Sequence, residues 1–172
     1  MSWFVVDVES DGPLPGKHSM VCFGAVLVEP SLSNTFYGQT RPISGHFLPD
    51  ALAISGFSRA QHESFEDPAQ VMQKFRDWIA QHSSGRAVFV SDNVAFDWQW
   101  INYYFHTFLG DNPFGHSGRR IGDLYCGMVK DTFAQWKHLR KTSHTHHPID
   151  DAKGNAEAVL AMKEMGLKIP SK

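Results

Sequence analysis

The sequence is poor in cysteine. It has two, Cys22 and Cys126, and no Cys-x-x-Cys. That excludes a zinc ribbon and a thioredoxin-type motif, leaves no disulfide framework to expect, and points to a reducing, cytoplasmic address. Long apolar runs are also missing. The longest, Met20 to Val28, is nine residues and contains Gly24, against about twenty for a membrane helix, so no membrane partner is expected. The opening Met1-Ser2-Trp3-Phe4-Val5-Val6 meets Asp7 at once, with no basic flank and no small-residue cleavage site, and does not read as a signal peptide. No repeat, linker or low-complexity stretch divides the 172 residues, so one domain over 1–172 is expected, long enough to bury a core without staples. The 42% hydrophobic and 20% charged fractions are those of an ordinary globular chain and exclude disorder, collagen and a coiled coil.

The net charge of −2 conceals an asymmetry. Residues 1–97 carry 6 basic and 11 acidic side chains, and residues 98–172 carry 10 and 7. The basic excess concentrates in 119–141, where Arg119, Arg120, Lys130, Lys137, Arg140 and Lys141 face only Asp123 and Asp131. Such a segment is either a phosphate-attracting stripe or a solvated helix face, and composition leaves both open.

The pattern along the chain predicts strands at 3–8, 20–28 and 35–41, joined by turns at 12–16 and 30–34, as an antiparallel meander. A helix is predicted over 68–82, capped by Ser64 or Asp67, with Val71, Met72, Phe75, Trp78 and Ile79 on one face. A short strand follows at 87–90, then an aromatic-rich helix at 96–109. A partly helical stretch covers 121–136. A last helix runs from about Asp150 to Met165, with Pro148 ahead of it and Gly166 to end it. The class is a mixed α/β sheet covered by helices.

Three places in this pattern carry carboxylates that a buried strand or helix does not need. Asp7 and Glu9 lie two apart on an otherwise apolar strand, so both point to one face and repel unless a cation compensates. Asp97 follows Ser91-Asp92-Asn93-Val94-Ala95-Phe96 at a strand-to-helix junction, a place suited to a site; helix capping accounts for Asn93 but not for Asp97. Asp150 and Asp151 open the last helix after His144-Thr145-His146-His147-Pro148. Asp151 shares a face with Gly154, Asn155 and Ala158, small residues that let the helix approach the sheet, while Asp150 is read as solvated. Four carboxylates from three separated elements are what two divalent cations about 3.5–4 Å apart require, and an all-oxygen set favours Mg²⁺ or Mn²⁺ over zinc.

These residues resemble those of a known family. Phe4-Val5-Val6-Asp7-Val8-Glu9-Ser10-Asp11-Gly12 looks like the Asp-x-Glu-Thr-x-Gly opening of the DnaQ-like 3′→5′ exonucleases, and Asn93-Val94-Ala95-Phe96-Asp97 looks like their Asn-x-x-Phe-Asp motif. His146 and Asp151 match the His-x4-Asp motif of the DEDDh branch. Leu48 to Ser58 resembles the segment that often ends in His-Gly-Ile-Thr. The resemblance implies an RNase H-like fold with a mixed five-stranded sheet, and two-metal hydrolysis of phosphodiester bonds at a 3′ end that releases nucleoside 5′-monophosphates. It maps Asp7, Glu9, Asp97 and Asp151 to metal ligands and His146 to the general base, a role suited to imidazole, which titrates near pH ~6.5. It maps Ser10, Gly12, Ser55, Gly56, Phe57, Asn93 and Phe96 to the substrate side. Ser10 for Thr, Ser91-Asp92 for Gly-His, Ser55 for His and Phe57 for Ile depart from the family and bear on substrate preference. Similarity in length to small stand-alone members, such as oligoribonuclease and RNase T, implies a homodimer, with single-stranded RNA mildly favoured over DNA. The rival readings are a non-catalytic nucleic-acid-binding module on the same fold, an RNase H-type endonuclease, and a zinc site built from His144, His146 and His147. The aromatic cluster Trp98, Trp100, Tyr103, Tyr104 and Phe105 is read mostly as helix core rather than a base-stacking platform.

Overall fold

In the computed structural model, residues 1–169 are described. Three antiparallel strands, β1 (Ser2–Ser10), β2 (Met20–Leu27) and β3 (Thr35–Gln39), form the expected meander. β4 (Ala87–Ser91) runs parallel to β1 and β5 (Gly118–Arg120) runs parallel to β4. The sheet is mixed and five-stranded, in the order β3-β2-β1-β4-β5. The helices are α1 (Pro49–Ile54), α2 (Arg59–Glu63), α3 (Pro68–His82), α4 (Val94–Leu109), α5 (Ile121–Val129) and α6 (Pro148–Glu164), with a 3₁₀ turn at Lys137–Leu139.

Strand alternation divides β1 between two cores. Phe4, Val6 and Val8 pack with Phe75 of α3 and Trp100, Ile101 and Tyr104 of α4. Trp3 and Val5 pack on the other face with Ile121 of α5 and Ala152, Ala156 and Val159 of α6. The same parity sends Asp7 and Glu9 to the α6 face. Gly24 is the ladder partner of Asp7. A Cβ on Gly24 would lie 2.5 Å from the carbonyl carbon of Pro148 and 2.6 Å from the nitrogen of Ile149. The first turn of α6 therefore sits down on the sheet beside Asp7, where only glycine leaves room.

Several boundaries differ from expectation. β5 was not anticipated: three residues, Gly-Arg-Arg, carry no apolar alternation and become a strand only by pairing with β4. The short helices α1 and α2 were also missed. α4 starts at Val94 rather than Phe96, and α6 starts at Pro148 itself, in the first-turn position where proline's missing N–H costs nothing. α5 ends at Val129, closed by Lys130 in the left-handed region at φ 58°, so the stretch 121–136 is helical in part, as expected. Asp67, not Ser64, caps α3, accepting the amide of Ala69 at 2.9 Å. Trp100, Tyr104 and Phe105 are fully buried, which makes the aromatic cluster core. No helix among the described residues is long and apolar enough to cross a membrane.

Candidate active site

β1 reaches past the end of β4, which pairs with it only as far as Val5. The amide of Val8 on that open side is taken by Asp97, whose Oδ1 accepts it at 3.1 Å. Asp97 is thus fixed at the tip of β1 by the start of α4. A bulge between Glu9 and Ser10 breaks the ladder immediately after the second carboxylate, a device common beside sites. Asp151, at 1% exposure, comes from the first turn of α6. The structure therefore brings together the four carboxylates that the sequence singled out.

Their electrostatics show the crowding. Burial pushes the Asp7 carboxyl well above the usual carboxylate range, and the charges of Asp97, Glu9 and Asp151 push it further, with Arg140 acting in the opposite direction. Glu9 is raised to about 7, by burial and then by Asp151. Burial raises Asp97 to about 8, against the hydroxyl of Ser91 and the amide of Val8, with Asp92 and Glu9 adding to the rise. Three neighbouring acids, all with pKa values raised by burial and by one another's charge, form a site that prefers a cation.

Asp151 is the most heavily engaged of the four. Its Oδ1 accepts Nη2 of Arg140 at 2.9 Å and the amide of Thr145 at 3.2 Å, and lies 2.8 Å from Nδ1 of His144. Its Oδ2 accepts the amide of His146 at 2.9 Å. His146 sits in the left-handed region at φ 61°. Its half-exposed ring is 3.8 Å from Glu9 through Nδ1, and its centroid is 4.3 Å from that of His144. His147 stacks on Tyr37, 5.1 Å between centroids. The three-histidine zinc site is thereby corrected: the side chains that cluster are His144, His146 and Asp151, without His147. Asp150, half-buried, accepts the Thr145 hydroxyl at 3.2 Å.

The residues mapped to the substrate side fall into separate groups. Asn93 is exposed at the start of α4 without a side-chain capping bond, and Phe96, half-buried, lies edge-on to Trp100 one turn later. Ser10 is buried, its hydroxyl donating to the carbonyl of Gly12 at 2.7 Å, and a Cβ on Gly12 would run into the His18 ring at 2.3 Å. Ser55 closes α1 by donating to the Leu52 carbonyl at 2.6 Å. Gly56 is left-handed at φ 77°, with open space where a Cβ would be. Phe57 lies edge-on to Phe65 against Val21, Cys22 and Leu52.

One contact has no signal in the sequence. Asp11, fully buried, accepts the amide of Ser19 at 2.5 Å and pairs with Arg59 at 3.0 Å, with Nδ1 of His62 at 3.7 Å. It ties α2 to the turn after β1. The basic segment singled out in the sequence makes several contacts within the chain. Arg119 lies over the Trp3 ring at 5.5 Å, Arg120 pairs with Asp123 at 2.8 Å, and Lys137 pairs with Asp92 at 3.1 Å. Arg140 is buried against Asp151, not held out to a phosphate chain.

No family model matches the sequence. The chain is 39% identical over 177 residues to the 3′-5′ DNA exonuclease Cap18 of Escherichia coli, covering 95% of this chain and 92% of that protein. In structure it is similar to the nuclease domain of 3′hExo, a DEDDh family member bound to rAMP, at TM-score 0.78 and 20% identity over 99% and 96% of the two chains. It is also similar to cell-death related nuclease 4, at TM-score 0.77 and 13% identity over 96% and 64%. A third similar structure is E. coli exonuclease I in complex with a dT13 oligonucleotide, at TM-score 0.69 and 15% identity over 95% and 40%.

Proposed function

The chain belongs to the DEDDh branch of the RNase H-like 3′→5′ exonucleases, and on that premise we propose that it removes nucleoside 5′-monophosphates from the 3′ end of single-stranded DNA. The observation that carries this reading is the convergence of Asp7, Glu9, Asp97 and Asp151 from β1, α4 and α6 on one buried acidic site. The sequence-level resemblance mildly favoured RNA. The relative at 39% identity is a DNA exonuclease, and that turns the proposal to DNA. A homodimer, implied by the small stand-alone members, and a cytoplasmic address, suggested by the low cysteine content, belong to the same proposal.

The donor set fits two divalent cations, Mg²⁺ or Mn²⁺. It is all oxygen, it gathers four carboxylates around one guanidinium, and Oδ2 of Asp151 accepts a single bond, from the His146 amide, among the described residues. Asp7, Glu9, Asp97 and Asp151 would hold the cations, which when bound lower the pKa of water and stabilise charge on the leaving oxygen. The remaining chemistry is the chain's own. His146 is the general base of this proposal, supported by a half-exposed ring beside Glu9 and a backbone tied to Asp151. It takes the proton from the water whose oxygen bonds to phosphorus as the bond from phosphorus to the 3′ oxygen breaks. With cations bound, the buried Asp7 and Asp97 would be ionised, and their charges would act in a medium of low dielectric. Asn93 and Phe96, at the start of α4 beside Asp97, are proposed to meet the terminal nucleotide, with Gly12 and the Ser55-Gly56-Phe57 loop flanking it.

A non-catalytic binding module has no observation in its favour, since all five residues of the motif set are retained. The test is digestion of 5′-labelled single-stranded DNA, RNA and duplex DNA with Mg²⁺ or Mn²⁺. Shortening one nucleotide at a time from the 3′ end, faster on single-stranded DNA than on RNA and abolished by EDTA, is expected. Internal cuts, or equal rates on RNA, would overturn the assignment of reaction or of substrate respectively.

A further inference from the structure

The candidate site contains a cation of its own. Arg140 has 8% of its side chain exposed, against 1% for Asp151. Its guanidinium donates from Nη2 to Oδ1 of Asp151 at 2.9 Å and from Nε to the carbonyl of Thr142 at 3.3 Å. It occupies the space left by Gly154: a Cβ there would lie 2.5 Å from Nε and 2.7 Å from Nη2. That seat is prepared by α6. Glu157 accepts the amides of Lys141 and Thr142, each at 2.7 Å, and the hydroxyl of Thr142 at 2.9 Å. One helix thus supplies the acid to be held, the gap for the guanidinium, and the carboxylate that clamps the loop bringing it.

We propose that Arg140 is a positioning residue and resident counter-cation. It holds Asp151 in place and offsets the crowded carboxylates while no divalent ion is bound, at the expense of metal affinity. A buried acid stripped of its partner is strongly destabilised, so the metal-free site needs this contact. A divalent ion bound by the same carboxylates meets a like charge nearby and gains less. The inference rests on the reading of Asp151 as a metal ligand.

The test compares wild type, Arg140→Met, Arg140→Lys and Asp151→Asn by thermal melting with and without Mn²⁺, and by Mn²⁺ binding followed through water-proton relaxation. Arg140→Met is expected to melt lower than wild type without metal, to recover most of the difference at saturating Mn²⁺, and to bind Mn²⁺ ~5-fold or more tightly, as removal of a nearby like charge requires. Arg140→Lys, which keeps the charge but not the planar fork, should fall between the two. Equal lowering of the melting temperature with and without Mn²⁺ would make Arg140 a packing residue only and overturn the inference. So would unchanged or weakened Mn²⁺ binding in Arg140→Met. If Asp151→Asn binds Mn²⁺ as wild type does, the ligand assignment itself fails, and this inference with it.

Discussion

Asp97 and Glu9 keep protons in the folded chain that they release in the unfolded one. Asp97 moves from an ordinary 3.8 to about 8 and Glu9 from 4.5 to about 7. Between those values the native state binds more protons than the unfolded state, so the stability they contribute is complete at low pH and is lost as pH rises. Buried His62, whose pKa is lowered by burial, acts in the opposite sense below the ordinary 6.5. The clean window is therefore pH 6.5 to 8. The metal-free melting temperature should fall across it, and Asp97→Asn should flatten the fall. A melting temperature that rises across this window without metal would contradict the protonated site. The catalytic role of His146 is tested by rate. His146→Ala should lose ~10²–10⁴-fold, the usual range for a positioned base, with Mn²⁺ affinity retained and partial recovery at higher pH. His147→Ala, stacked away on Tyr37, should stay near wild type, and the reverse order would show that the last motif has been read in the wrong register. Asp97 and Glu9 are legible in the sequence, because acids on an apolar strand and at a helix start are chemically out of place, and His146 is legible through the motif resemblance; His62 is not. Nor is the role of Arg140. Its seat depends on Gly154 and Glu157 lying one face apart from it in space, and a basic residue eleven positions before Asp151 carries no periodic signal.

At the scale of elements, the site depends on how closely α6 approaches β1 and β2. Gly24 is the point of contact, its missing side chain filled by the backbone of Pro148 and Ile149. Gly24→Ala should force α6 outward, at a cost of about 1–3 kcal/mol typical of an overpacked core. It should reduce activity more than its stability loss explains, since Asp151 and His146 move with the helix. Chemical denaturation and single-turnover rates measured on the same preparation check this, and a fully active, destabilised variant would contradict it. The long elements, β1, β2, α3 and α6, follow from their periodicity, which burial on one or both faces imposes. β5, α1 and α2 do not, because each is too short for a pattern and forms only against partners already in place. The sequence pattern sets the start of α6 near Asp150, two residues late, because Pro148 looks like a flank, although proline is at home in a first helical turn.

Over the whole molecule, the two halves of unlike charge meet at the site. The acidic first half contributes Asp7, Glu9 and Asp97, and the basic second half contributes Arg140 beside Asp151. Part of the basic excess is paired within the chain, at the surface with Asp92 and Asp123 and over the ring of Trp3, and in a buried pair with Asp151. Charge composition alone could not distinguish such internal pairing from a phosphate-binding stripe, since both need the same residues. The central claim is that carboxylates from three elements form a single divalent-cation site for cleavage at a 3′ end. It is tested most directly by following 5′-labelled single-stranded DNA with Mg²⁺ for wild type and for Asp97→Asn. Wild type should shorten the strand stepwise from its 3′ end, and Asp97→Asn, folded and at least as stable without metal, should leave it intact. Robust stepwise shortening by Asp97→Asn at the same Mg²⁺ concentration would contradict the account.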